Sequence, residues 1–389
     1  MPKSNLFGRR IHITGSISKD PAVSTPEVVD LARKFVQALV KELVKRGANF
    51  VVPVDAEPTR EADKLPICFD WLVWETINNN ILSRPADVPG VLAIGVQHHK
   101  TGKQIPEQYK DMWATLSRSA HVTLDNASFW DMSAKRMEAQ AARGEILLPL
   151  GGTEGALYLT NLYHAAGKHV VPINLPITAK TTGAQKVYDF GLGRGNAKKL
   201  FQTTTSNMDP HAWLNRINFE DADDVALMVN DYIELLEALE RPRAFAVRLL
   251  DPKHTDFDTV EDFFETVVKP VVQDDLGFKL VVVDGIQSVE HARIDTDIFE
   301  KLHRSQLVIA DVTGGRPNCF IELGYALGRG LPTIVSAKEN SDLPFDIKTF
   351  AGHHWKVTGG AVERRRLLKE HWQSIQNRAA LVNTEPLIS

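Results

Sequence analysis

The chain of 389 residues has only two cysteines, Cys68 and Cys319. Two thiols build neither a disulfide framework nor a zinc cluster, so a reducing compartment is expected, with the cytoplasm first. Long apolar runs are also missing. No stretch approaches the roughly 18 uninterrupted residues that cross a bilayer, and Met1 to Arg10 has no apolar core of a secretory leader. Positive charge is not in excess, since 45 Lys and Arg against 49 Asp and Glu leave a formal −4. A nucleic-acid surface is therefore not expected. The histidine pairs His98-His99 and His353-His354 are adjacent in sequence, so they do not chelate as an i,i+4 pair does. With no His-Glu-x-x-His, no Gly-x-Ser-x-Gly and no Walker loop, no catalytic metal is expected, nor a required cofactor.

What is present is ordinary globular composition, 43% hydrophobic and 24% charged. The length suits two domains, each with a core of its own. Ile11 to Ile13 reads as a strand running into Thr14-Gly15-Ser16. Ser24 and Glu27 have capping-box spacing, with Pro26 in the first turn. From Val28 to Val44 apolar residues recur at three and four, Gly47 stops the helix, and Asn49 to Val54 is the next strand. Strand and helix patterns keep alternating to Ile173, which predicts a doubly wound α/β domain. Periodicity is lost from Thr178 to about Asp209, where Gly183, Gly191, Gly193 and Gly195 suggest loops. A helix over Asp224 to Leu239 ends at Arg241-Pro242, and alternation restarts at Phe245. The expected domains are 1–241 and 242–389, both doubly wound parallel sheets. In the second, Asp258 and Glu261 suggest another capping box, and Thr333 to Ser336 reads as the closing strand.

Two glycine loops follow strands of the first domain: Thr14 to Ser18, and Gly151-Gly152-Thr153-Glu154-Gly155. Such loops bring backbone N–H groups close to a phosphate, and a following helix adds its dipole. They are equally read as tight turns without a ligand. Between them, Phe69 to Trp74 carries aromatics that suit either a core or a stacked purine. The early Gly-Ser, the late Gly-Gly-Thr loop and the helix ending Ala166-Gly167-Lys168 before Val170 to Ile173 resemble the SLOG superfamily over about Gly8 to Thr178. That resemblance implies a nucleotide-derived ligand, of cyclic-nucleotide or ADP-ribose type, at Gly15, Ser16, Gly151, Gly152, Thr153, Glu154 and Gly155. The hydrolase branch resembles Pro-Gly-Gly-x-Gly-Thr-x-x-Glu. Here Glu154 lies inside the loop instead, which favours a sensing pocket over a phosphoribohydrolase, with Glu154 on a ribose hydroxyl or simply matched to the helix dipole.

The second domain carries Asp311-Val312-Thr313-Gly314-Gly315-Arg316-Pro317-Asn318-Cys319-Phe320-Ile321-Glu322. A strand ends at Asp311, the glycines turn, and Asn318 is placed to cap a helix. Glu322 then falls in about its first turn, where the dipole should keep it ionised. An ionised carboxylate suits attack on an anomeric carbon, or support of an oxocarbenium-like transition state, better than proton donation. It is also read as a plain helix acid. Gly324 and Ala326 would let the helix pack closely. Ala310 to Thr313, Asn318 and Phe320-Ile321-Glu322-Leu323-Gly324-Tyr325-Ala326 resemble the nucleoside 2-deoxyribosyltransferase-like group, which merges with bacterial TIR-like domains, over about Ala244 to Lys356. The resemblance implies cleavage of an N-glycosidic bond, Glu322 as the catalytic carboxylate, and NAD, then a nucleotide, as substrate. Arg316 replaces an aspartate of the transferases, which suggests a phosphate contact; Asp311 and Asn318 would touch the ribose, beside Gly314 and Gly315, Asp311 being equally read as a strand-end turn former and Asn318 as the cap.

Taken together, the expected protein is a homo-oligomeric, signal-regulated N-glycosidase of the antiphage type. Two alternatives stay open: a non-catalytic nucleotide-binding signalling module, and a nucleoside monophosphate phosphoribohydrolase working through the first domain.

Overall fold

A computed structural model describes residues 4–128, 133–204, 208–283, 294–348, 350 and 352–375. The chain divides into two compact units, Met1–Glu240 and Arg241–Ser389. Each is built on an all-parallel sheet flanked by helices, as the alternating patterns predict.

Unit 1 runs β1 (Arg10–Ser16), α1 (Pro26–Lys45), β2 (Asn49–Pro53), α2 (Asp70–Asn80), β3 (Ala93–His98), α3 (Lys110–Leu116), β4 (Val122–Ser128), α4 (Ser133–Arg143), β5 (Ile146–Gly151), α5 (Glu154–Ala165) and β6 (His169–Val170). It continues with α6 (Gly183–Leu192), α7 (Ala197–Leu200), α8 (Pro210–Arg216) and α9 (Val225–Ala238). The strand order is β4-β3-β2-β1-β5-β6. It reverses between β1 and β5, the place where open α/β sheets bind ligands at their carboxyl edge. The core is one continuous cluster, in which the stripe Val29, Ala32, Phe35, Val36, Leu39, Val40, Leu43 and Val44 packs α1 on the sheet.

Two local expectations change, and one of two open readings is decided. Ser24 does not cap α1; Thr25 holds that position, and Ser24 is buried with its hydroxyl on Ser18 O and Arg60. The aromatic run is core, with Trp71 and Trp74 buried in α2. The stretch read as loops contains α6 and α7. Its glycines misled because Gly183 starts α6 and Gly193 ends it, while Ala184, Val187, Tyr188 and Gly191 between them form a buried face at helical spacing.

Unit 2 runs β7 (Arg243–Val247), α10 (Phe257–Phe263), β8 (Lys279–Val282), α11 (Ile294–His303), β9 (Leu307–Asp311), α12 (Pro317–Gly328), β10 (Thr333–Lys338), α13 (Phe345–Lys348), β11 (His353–Trp355) and α14 (Ala361–Ile375). The order β8-β7-β9-β10-β11 is that of flavodoxin-like sheets, with its reversal between β7 and β9. Alternate strand residues feed two cores. Ala244, Ala246, Leu307 and Ile309 face one side, and Phe245, Val247, Val308 and Ala310 the other.

Two expectations for unit 2 also change. The helix expected to start at the Asp258 box starts at Phe257, after Asp256, and passes into π-helical turns over Phe264–Val268 and Val271–Asp275. The sheet closes not on β10 but on β11, which is only three residues long and too short to signal by alternation. Its Trp355 is buried and stacks on Phe263 at 4.3 Å.

Candidate functional site

In unit 1 the two predicted loops come together at the sheet reversal. Ser16 pairs with Gly151 in parallel register, and Gly152 N donates to Ser16 O at 2.8 Å. Gly15 has φ +152°, and a Cβ there would stand 1.8 Å from Leu150 O, so only glycine fits this approach. Thr153 precedes α5 and Glu154 is its first residue; both are exposed at the carboxyl edge, with Gly155 half-buried next to them. The first-turn N–H groups of α5 thus open on the same edge as β1. Gly183 brings the start of α6 against Gly151 and Gly152, whose carbonyl oxygens lie 2.2 Å from where its Cβ would be.

A cluster that the sequence reading passed over flanks this edge. Asp55 lies just beyond β2, Asp70 begins α2, and His98 ends β3. Ile17 N donates to Ile67 O at 2.9 Å, and Ser16 bridges to Cys68, which draws the start of α2 beside β1. Trp71 Nε1 donates to Asp55 O at 2.8 Å. Arg136 of α4 forms an ion pair with Asp55. Burial, with Asp55 and Glu57 nearby, pushes the Asp70 carboxyl up to about 7. Burial also pushes the Cys68 thiol up to about 12, so it is no nucleophile at neutral pH. The available signal was an acid directly after a strand and another directly at a helix start.

In unit 2 the loops after β7 and β9 meet at the second reversal. The His254 ring lies against Gly314, 2.8 Å from where a Cβ would stand, and Gly314 has φ +79°. Its Nδ1 accepts from Asp256 N at 3.1 Å, and Asp256 forms an ion pair with Lys338. Arg316 is exposed and 3.4 Å from Asp251 Oδ2. Gly315 and Asn318 are exposed beside it. His254 and Asp251 carry no motif that would mark them in sequence.

Three expectations for this segment change. Asn318 is not the cap. Pro317 occupies the first position of α12, where its fixed φ suits a helix start, and Arg316 precedes it. Glu322 is therefore the sixth helical residue, in the second turn, where the dipole has faded. Burial dominates instead and pushes its carboxyl up to about 7, so near neutrality both protonation states are populated. Among the described residues it has no hydrogen bond or ion pair. Ala326 packs into the core, but Gly324 is exposed and approaches nothing.

Asp311 is fully buried, not open to a ribose. It accepts from Thr313 N at 3.1 Å, Ser336 Oγ at 2.8 Å and Trp355 Nε1 at 2.8 Å. Burial raises its carboxyl while these donors pull it down. Lys338 N in turn donates to Thr313 Oγ1 at 2.8 Å. Asp311 thereby fixes the chain entering the Gly314-Gly315 turn. No group of three or more His, Cys, Asp or Glu among the described residues is arranged to hold a metal.

A family model described as "ATP nucleosidase Cap17-like, N-terminal" matches residues 6–236. No curated protein matches. The crystal structure of a conserved protein from Enterococcus faecalis V583 is similar over 36% of this chain and 99% of that chain, at 14% identity and a TM-score of 0.21.

Proposed function

The chain belongs to the Cap17-like N-terminal ATP nucleosidase family, and from that premise we propose that it is an N-glycosidase releasing the base of a nucleotide, ATP or NAD. The observation that carries the reading is the setting of Glu322. A half-buried carboxyl without hydrogen-bond partners among the described residues stands in the second turn of the helix that follows the Gly314-Gly315 turn. Ionised, it stabilises the positive charge that develops on the anomeric carbon as the base departs. Water adds to that carbon, its proton is lost to solvent, and free base and a ribosyl product with a hydroxyl at C1′ result. Nicotinamide leaves NAD as a neutral molecule and needs no proton; adenine takes one up from solvent, which balances the proton that the attacking water gives up. Arg316, next to the Gly314-Gly315 turn, is the group for a phosphate, once drawn off Asp251.

In this reading unit 1 is the regulatory half. A nucleotide-derived signal of cyclic-nucleotide or ADP-ribose type seats its phosphates on Gly15, Ser16 and Gly151 to Gly155, and binding favours the state in which the Glu322 site works. A homo-oligomeric effector of antiphage defence in the cytoplasm is the corresponding biology. A second reading puts base release in unit 1, because the family match covers that unit. It predicts activity that survives Glu322→Gln and fails in Glu154→Gln.

The test is incubation of the protein with ATP, NAD and nucleosides, each with and without cyclic nucleotides and cyclic ADP-ribose isomers, with products resolved by mass. Adenine from ATP or nicotinamide from NAD is expected in at least one activated mixture. No free base in any mixture contradicts the proposal.

A further inference from the structure

The acidic corner of unit 1 has more carboxyls than cations to answer them. Asp55 and Glu57 act on Asp70, and Glu75 acts on Glu57, while Arg136 pairs with Asp55 and Arg33 acts on Glu57. A phosphate would be repelled here. A sugar hydroxyl, which donates to a carboxylate without adding charge, would not.

A second, independent feature points the same way. His98 is 1% exposed. Lys100 N donates to its Nδ1 at 3.2 Å, which puts the proton of the neutral ring on Nε2. That Nε2 has no hydrogen-bond partner among the described residues, and an unsatisfied buried donor is costly. It faces Asp55 Oδ1 at 3.8 Å, too far for a direct bond. One hydroxyl oxygen about 2.8 Å from each atom closes the gap, accepting from the imidazole and donating to the carboxylate. Asp55 also stands at the end of β2, where sheets that bind dinucleotides through a glycine turn after β1 place their ribose-binding acid.

We infer that this corner is the sugar end of the nucleotide site of unit 1, with Asp55 Oδ1 and His98 Nε2 sharing one ribose hydroxyl and the phosphates lying toward the Gly151 to Gly155 turn. The inference rests on the reading that unit 1 binds a nucleotide. Asp55, its side chain 30% exposed, is the open side of the pair. Arg136 pairs with the other carboxylate oxygen of Asp55, which leaves Oδ1 for the hydroxyl.

The experiment is calorimetric titration of the full chain carrying Glu322→Gln with ATP, ADP-ribose and 3′,3′-cyclic di-AMP, each beside its 2′-deoxy counterpart. Three further proteins add Thr153→Asp, Asp55→Asn or His98→Phe. Thr153→Asp puts a residue favoured at helix starts in the position before α5 and sets a negative charge where the phosphates would lie. At least one ligand is expected to bind, to be lost in Thr153→Asp, and to be favoured about 10-fold over its 2′-deoxy form. Asp55→Asn and His98→Phe should reduce that preference and leave the 2′-deoxy affinity unchanged. Binding lost in Thr153→Asp but indifferent to the hydroxyl in the parent protein overturns this inference and leaves the nucleotide reading standing. No binding, or binding untouched by Thr153→Asp, overturns both.

Discussion

Glu322 and Asp70 share a physical situation. Each is a carboxyl whose burial has lifted it from the usual acid range to about 7. The folded state holds their protons more tightly than the unfolded state does. Their protonated forms therefore cost folding nothing at low pH, and stability falls as pH rises from about 4 towards 7 and stays lower above. Asp70→Asn should accordingly raise the melting temperature at pH 8 and do so much less at pH 5; an equal gain at both, read by thermal unfolding, would argue against a buried, proton-holding Asp70. Catalysis provides the complementary sign. A carboxylate that supports an oxocarbenium ion must be ionised, so kcat/KM for base release should climb with pH through about 7 and level off above it. A limb that falls there would make Glu322 a proton donor instead. Asp311 belongs to another category: it touches no solvent and holds three donors. Asp311→Ala should cost about 3 kcal/mol in denaturant unfolding, since it strands the Trp355, Ser336 and Thr313 donors. Trp355→Phe, which removes one bond and keeps the stacking on Phe263, should cost about 1 kcal/mol.

At the scale of elements, turns after strands decide both candidate edges. Gly314 takes the His254 ring where a side chain would have to be. Gly314→Val should therefore displace the loop after β7 and reduce base release at least 10-fold, with a smaller loss in Gly315→Ala, where a Cβ meets nothing. Equal effects of the two would detach the His254 contact from function. These elements also show what a sequence can display. Buried parallel strands such as Leu307 to Asp311, and amphipathic α1, announce themselves by run and period. The segment around Glu322 was legible as a motif, but its turn and its charge were not. Pro317 shifted the start of α12, and burial is a property of the packed unit. The Asp55, Asp70 and His98 corner was hidden for a similar reason, because its members come from three elements separated by other structure.

The whole molecule consists of two sheets with separate cores. Unit 1 carries the family match, and unit 2 carries Glu322 outside it. Recognition is proposed for the first and bond cleavage for the second. The most direct test is the single substitution Glu322→Gln, made in the full chain and compared with the parent protein in the mass-resolved base-release assay under activating conditions. The account predicts at least a 100-fold loss of free base, with nucleotide binding to unit 1 and the unfolding profile at pH 5 unchanged. Base release at the parent rate from Glu322→Gln would contradict it.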